Sequence, residues 1–197
     1  MKLLLQLSRL IDAMTERIGH AVYWLVLVAV LVSAVNAVVR KLFDMSSNAF
    51  LELQWYLFSA VFLLGAGYAL LKQEHVRIDV VYGKFPRRVQ IWIDILGTIF
   101  FLMPMALLVL WHSWPVFVTA LESHERSSSA GGLILWPARL LLPAGFALLI
   151  VQATSEMIKR FAFLRGLVPD PGEKEHHKTA EEELAEDIKA RAAGAKP

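Results

Sequence analysis

Several stretches hold the residue types that chemistry uses. His75-Val76-Arg77-Ile78-Asp79 gathers an imidazole, a guanidinium and a carboxylate within five positions. Residues 123–132, Ser-His-Glu-Arg-Ser-Ser-Ser-Ala-Gly-Gly, set hydroxyls beside a His and a Glu. His176-His177 offers adjacent imidazoles. Each falls short of a reactive site. A nucleophilic triad needs a scaffold-held nucleophile and an oxyanion hole, and the Ser/Gly-rich stretch reads instead as a flexible outer loop. Adjacent His without fixed further ligands make a weak metal site. With no cysteine, there is no disulfide framework or thiolate metal site. Glycine-rich phosphate-binding motifs are absent. The expectation is a chain that is not an enzyme, with no catalytic, cofactor-binding or metal-binding residues.

The elements that carry these stretches belong to a membrane. Of the 197 residues, 56% are hydrophobic and 19% charged. A helix needs about 20 apolar residues to cross roughly 30 Å of hydrocarbon. Four runs qualify, at about Ile18 to Val39, Ala49 to Leu71, Val89 to Trp111 and Leu133 to Ile158. They are too continuously apolar for barrel strands, which alternate. The fold class is therefore an all-α integral membrane protein with four transmembrane helices and interfacial amphipathic helices. The first run is too long for a secretory signal and reads as an uncleaved span. His20 and His112 then lie at opposite ends of their spans, which excludes bis-imidazole haem ligation between them.

Charge sets the orientation. Lys2, Arg9 and Arg17 precede the first span, and Lys72, Arg77, Lys84, Arg87 and Arg88 join the second to the third. Lys159, Arg160, Arg165 and Lys174 follow the fourth. The opposite side has Arg40, Lys41 and Arg126 alone. Positive charge favours the cytoplasm, so both termini are placed there. Trp24 and Trp92 fall near inner span ends; Trp55, Trp111, Trp114 and Trp136 fall near outer ends, where indole favours the headgroup zone.

Residues 1–17 read as an amphipathic helix on the inner leaflet, with Leu3, Leu7, Leu10, Met14 and Ile18 at helical spacing. Residues 166–197 read as a polar cytoplasmic tail. Within it, Thr179 and Glu182 stand at capping-box spacing, consistent with a marginal helix or disorder. Ionisable residues within the spans sit near their ends. Arg40, Glu52 and Arg139 are outer; Asp94, Glu156 and Lys159 are inner. From depth we expect Glu52 to pair with Arg40 or Arg139, and Asp94 with Lys159 or Arg160, since unpaired charge in lipid is costly. Asn36 and Gln54 are candidates for interhelical hydrogen bonds, and Gly65 and Gly67 for close helix approach. Pro104 removes one backbone hydrogen bond in the third span.

Between the second and third spans, Ile78, Val81, Tyr82 and Phe85 form a helical apolar stripe ended by Pro86. Asp79 stands where it can cap that helix, and Arg87-Arg88 can anchor the next span to headgroups. Physically this is a turn at the membrane surface.

The run from Glu52 through Gly65-Ala66 to His75-Val76-Arg77-Ile78-Asp79 resembles the small membrane subunits of tripartite ATP-independent periplasmic (TRAP) transporters, the DctQ-like subunits. Trp136-Pro137, Pro143-Ala144-Gly145-Phe146 and Gln152 resemble that family's fourth helix. The likeness covers roughly residues 5 to 165. Where the family often has a paired acid at the start of the second span, this chain has Leu51 before Glu52. The resemblance implies a small permease subunit with no ATP hydrolysis and no cofactor. It would bind a large permease subunit that carries substrate and sodium sites and works as an elevator. A periplasmic binding protein would deliver an organic anion of the carboxylate class. The small subunit would brace the stationary scaffold in the bacterial inner membrane, in contact with lipid and without nucleic acid. Structural or partner-facing roles fall to Arg40, Glu52, Gly65, His75, Arg77, Asp79 and Arg139. The outer stretches around Phe43 to Asn48 and Leu121 to Gly132 lie where a binding protein would dock.

The rival readings are a self-sufficient small four-helix exporter and a structural anchor subunit of another complex. Small exporters use an acid deep in the first span, and this first span has Asn36 instead. If Asp79 fixes the cytoplasmic turn, Asp79→Ala lowers the yield of the assembled complex or its uptake rate. Affinity purification and a transport assay check this, and normal assembly with normal uptake removes the role.

Overall fold

The computed structural model of the chain describes residues 2–43, 47–73 and 85–168. Four helices are long and apolar enough to cross a membrane. They are α1 (Lys2–Phe43), α2 (Asn48–Leu71), α3 (Arg87–Glu122) and α4 (Trp136–Leu164). Among the described residues the only extended pairing is one antiparallel bridge, Arg126 with Ile134. In hydrocarbon every backbone N–H and C=O must be satisfied within the segment, which selects helices.

The leader and the first span form one helix. α1 runs unbroken for 42 residues, about 63 Å at 1.5 Å per residue and twice the hydrocarbon thickness. The leader is therefore helical, but it continues the span rather than forming a separate element. Its buried face also differs from the apolar one read from the sequence. Ser8, Ile11, Thr15 and Gly19 are buried, while Leu3, Leu7, Leu10 and Met14 are exposed.

α4 is the hub. It packs against α1, α2 and α3, and α1 packs against α2. In its most apolar stretch 39% of residues are buried, against 6% for α2. The buried positions follow a seven-residue period. In α1 they include Ser8, Thr15, Val22, Ala29 and Asn36; in α3 they include Ala106, Ser113 and Ala120. A seven-residue seam is that of helices crossing at a shallow left-handed angle. The residues along it are small, as expected where van der Waals contact and hydrogen bonds drive association in place of hydrophobic exclusion.

α3 carries a π-helical turn at Thr98–Leu102, immediately before Pro104. The proline has no N–H to give to its preceding turn, and the wider turn absorbs that gap. α3 also continues to Glu122, beyond the expected end near Trp111. His112 Nδ1 lies 3.0 Å from the Leu108 carbonyl and Ser113 Oγ donates to that of Leu110, so these polar residues are served within the helix.

Close approach is required at glycines other than Gly65. A Cβ on Gly65 would meet only Val22 Cγ1, at 3.9 Å, which is ordinary contact. A Cβ on Gly145 would lie 2.8 Å from both Cβ and the carbonyl oxygen of Leu63. Backbone on α2 thus touches backbone on α4, and neither can yield as a flexible side chain would. We expect Gly145→Ala to destabilise the purified chain by about 1–3 kcal/mol through overpacking, and Gly65→Ala to be tolerated. Denaturant unfolding in detergent followed by Trp fluorescence reads both.

Candidate scaffold site: two polar clamps at the ends of the bundle

The inner clamp begins on α1. Asp12 stands one turn from Ser8 and presents its carboxylate to α4. Its Oδ1 accepts from Ser155 Oγ at 2.7 Å and Gln152 Nε2 at 2.9 Å, and Oδ2 accepts from Lys159 Nζ at 3.1 Å. Ser155 has one hydroxyl proton. Given to Asp12, it leaves Ser155 Oγ to accept from Ser8 Oγ, 2.7 Å away. Lys159 also donates to Glu156 Oε1, and Gln152 reaches the same oxygen at 3.4 Å. Gln152, Ser155 and Glu156 are almost wholly buried. Residues 152, 155, 156 and 159 fall on one α4 face by helical spacing, so about two turns of α4 receive the whole cluster.

α3 joins beside it. Arg160 Nη2 lies 3.5 Å from Asp94 Oδ2, with both side chains largely buried. This is one of the two pairings expected for Asp94; Lys159, the other candidate, turns to α1 instead. Farther out, Lys72 donates to Glu16 at 2.8 Å, joining the end of α2 to α1. That hydrogen bond raises the Lys72 pKa above its ordinary value. Both side chains are more than two-fifths exposed, so the pair contributes little to stability.

The outer clamp is built on α2. Asn48, Glu52 and Tyr56 recur every four residues and share a face. Asn48 Nδ2 donates to the Ala130 carbonyl at 3.2 Å and Tyr56 Oη to that of Ile134 at 3.2 Å. Between them the Glu52 carboxylate accepts from Ser127 Oγ and, at 2.7 Å, from the Leu133 backbone N–H. Residues 123–135 are therefore no loose loop. Ser127 N–H bonds the Leu133 carbonyl and Leu135 N–H that of Glu125, both at 2.9 Å, forming a short hairpin-like crosslink. Gly131, at φ 74°, takes the left-handed conformation that the tip requires.

This overturns the expected partners of Glu52. Arg139 forms a two-point ion pair with Glu125, at 2.6 and 2.7 Å, and braces the base of the hairpin. Arg40 lies in a cleft between α1 and α2 with Asn36 and Gln54. A fork-shaped guanidinium gains more from a bidentate carboxylate at fixed spacing than from depth alone. The helical spacing of Asn48, Glu52 and Tyr56 was the sequence signal for the outer clamp; their loop partners had none.

Gly65 belongs to neither clamp. His75, Arg77 and Asp79 lie outside the described residues, as do the surface stripe Ile78 to Tyr82 and the tail from residue 169. Among the described residues no group of three or more His, Asp or Glu is placed to hold a metal. Each clamp ties three segments at one end of the bundle and leaves the middle apolar.

Removing Glu52 frees two donors of the hairpin. With Glu52→Ala we expect amide exchange at Leu133 and its neighbours to speed up about tenfold or more, as read by hydrogen–deuterium exchange. Asp12→Ala leaves Lys159 without its α1 partner and should lower unfolding stability by about 2–4 kcal/mol, whereas Glu16→Ala should be nearly silent.

No curated relative matches this chain. A family model described as tripartite ATP-independent periplasmic transporters, DctQ component, matches residues 29–163. That interval takes in only the last third of α1, from Ala29, with all of α2 and α3 and nearly the whole of α4, so the outer clamp lies within it and Asp12 of the inner clamp does not. The chain belongs to the DctQ component family of the tripartite ATP-independent periplasmic transporters, a family of transporter components and not of enzymes.

Proposed function

We propose that this chain braces the stationary scaffold of a large elevator-type permease subunit. That assembly would take up an organic anion of the carboxylate class, coupled to sodium, after delivery by a periplasmic binding protein. The observation that carries the reading is the distribution of charge. Every ionisable side chain named in the spans belongs to an end, in a clamp or at a rim. A carrier needs polar groups at mid-membrane to hold its cargo. A brace needs rigid ends and an apolar flank. α1 and α3 offer long exposed apolar flanks, including Val28, Leu31, Val35, Phe100, Phe101 and Leu108, suited to lipid and to the helices of a larger subunit.

In this reading the outer hairpin, held by Glu52, is the rigid surface presented to the binding protein. The inner extension of α1 along α4 lengthens the bundle beyond the hydrocarbon and resists tilting. His75, Arg77 and Asp79 would fix the turn between α2 and α3.

The test is purification of the tagged chain from its native membranes in mild detergent, followed by reconstitution of what comes with it. The expected outcome is a stoichiometric many-spanning permease, and uptake only when both subunits and the binding protein are present. A monodisperse lone chain that transports by itself overturns the proposal.

A further inference from the structure

α1 carries a polar stripe in its outer quarter that neither clamp uses. Ser33, Asn36, Ala37 and Arg40 stand at i, i+3, i+4 and i+7, on one face. With Lys41 and with Gln54 of α2 they line a cleft of about 480 Å³ between the two helices, within the range of small-ligand sites. The small side chains of Ser33 and Ala37 leave the space; the longer ones rim it.

Its chemistry is one-sided. Two cations and two primary amides face the cleft, and among the described residues no acid lines it. Ser33 Oγ donates to the Ala29 carbonyl at 2.8 Å, so its proton is already committed. Asn36 is only 8% exposed, yet its amide has no hydrogen-bond partner among the described residues. Lining the cleft, that amide is free to bond to whatever enters it. Arg40, Lys41 and Gln54 are likewise without side-chain partners there. The site is short of acceptors and negative charge.

We propose that this cleft binds the phosphate of an anionic phospholipid in the outer leaflet. Position selects lipid over a soluble anion. Arg40 stands three residues before the end of α1, and Gln54 less than two turns into α2, the depth of the headgroup and glycerol. Trp55 beside it is exposed, and an indole prefers that zone. Val35, Val38 and Leu42, also exposed, border the stripe and offer acyl chains a surface. Arg40 and Lys41 stand with Arg126 and Arg139 as the Lys and Arg on the outer side, against the general bias of charge to the inner side. Arg40 supplies the forked donor that suits a phosphate, Lys41 a mobile point charge, and Asn36 and Gln54 neutral N–H donors. A zwitterionic headgroup brings its own cation to a lining that already holds Arg40 and Lys41, and fits it worse.

The experiment is native mass spectrometry of the full chain in detergent, titrated with phosphatidylglycerol or phosphatidylcholine. Two cations near one phosphate should favour phosphatidylglycerol by roughly tenfold or more. Arg40→Gln with Lys41→Gln should bring retention down to the phosphatidylcholine level, while Arg9→Gln at the inner end should leave it unchanged. Gln54→Glu, which keeps size and adds a negative charge to the cleft, should also cut retention at an unchanged melting temperature. That variant decides the matter if the double variant does not fold. Equal retention of the two lipids, or undiminished phosphatidylglycerol retention in the folded variants, overturns the proposal. So does displacement by millimolar inorganic phosphate, which would mark a site for free anions. Loss of retention when the chain is purified with its large subunit also overturns it, because a protein group would then fill the cleft.

Discussion

Hydrocarbon gives an unpaired carboxylate nothing to bond to, and that constraint governs where this bundle is polar. Asp12 meets it with three donors from α4. Glu52 meets it with a hydroxyl and a backbone N–H from the outer hairpin. Because each acid takes its donors from another segment, satisfying it also joins segments. The pairing requirement thus doubles as the fastening of the fold. Acids placed instead against their own helix would have left the helices free to slide, since apolar side chains gain little from one another over lipid tails.

Between the fastened ends, contact rests on size. α4 meets its neighbours through Gly145, Leu148, Ala153 and Ala162, and Leu63 backbone approaches Gly145 too closely for a Cβ. Such packing is short-ranged and stiff. A hub that touches all three other helices leaves the outer flanks of α1 and α3 uncovered. This asymmetry suits a component of a larger membrane assembly, where the uncovered flanks are surface for partners and lipid. The outer cleft at Arg40 adds polar specificity to a flank that is otherwise apolar.

Much of the architecture was legible in the residues. Four apolar runs of spanning length and the charge bias between their ends depend on composition, which folding does not alter. The partners of Asp94 could be narrowed to two by depth, and Arg160 is the one used. Depth failed for Glu52, because a backbone N–H on a hairpin was the competitor and no side-chain pattern announces it. In the leader, Leu3, Leu7, Leu10 and Met14 mark an apolar stripe that stays exposed on the protein. Ser8 and Asp12 meet α4 through hydrogen bonds instead, because in a membrane the protein interior is where polar groups find partners. The seven-residue spacing of Ser8, Thr15, Val22, Ala29 and Asn36 was present in the sequence and names that inner face; it was obscured by its mixed polarity.

The sequence by itself determined that the chain is helical, that it has four segments long and apolar enough to cross a membrane, and which family it resembles. These follow from local properties: residue hydropathy, run length and short motifs. Only the tertiary structure decided which donor meets which acid, that Gly145 rather than Gly65 is the close contact, that α4 is the hub, and that a hydroxyl-rich stretch is a pinned hairpin. Those outcomes depend on the rotation and height of one helix against another. A difference of one residue turns a side chain through about 100°, so the choice between a clamp and a free surface is made only when the helices are set side by side.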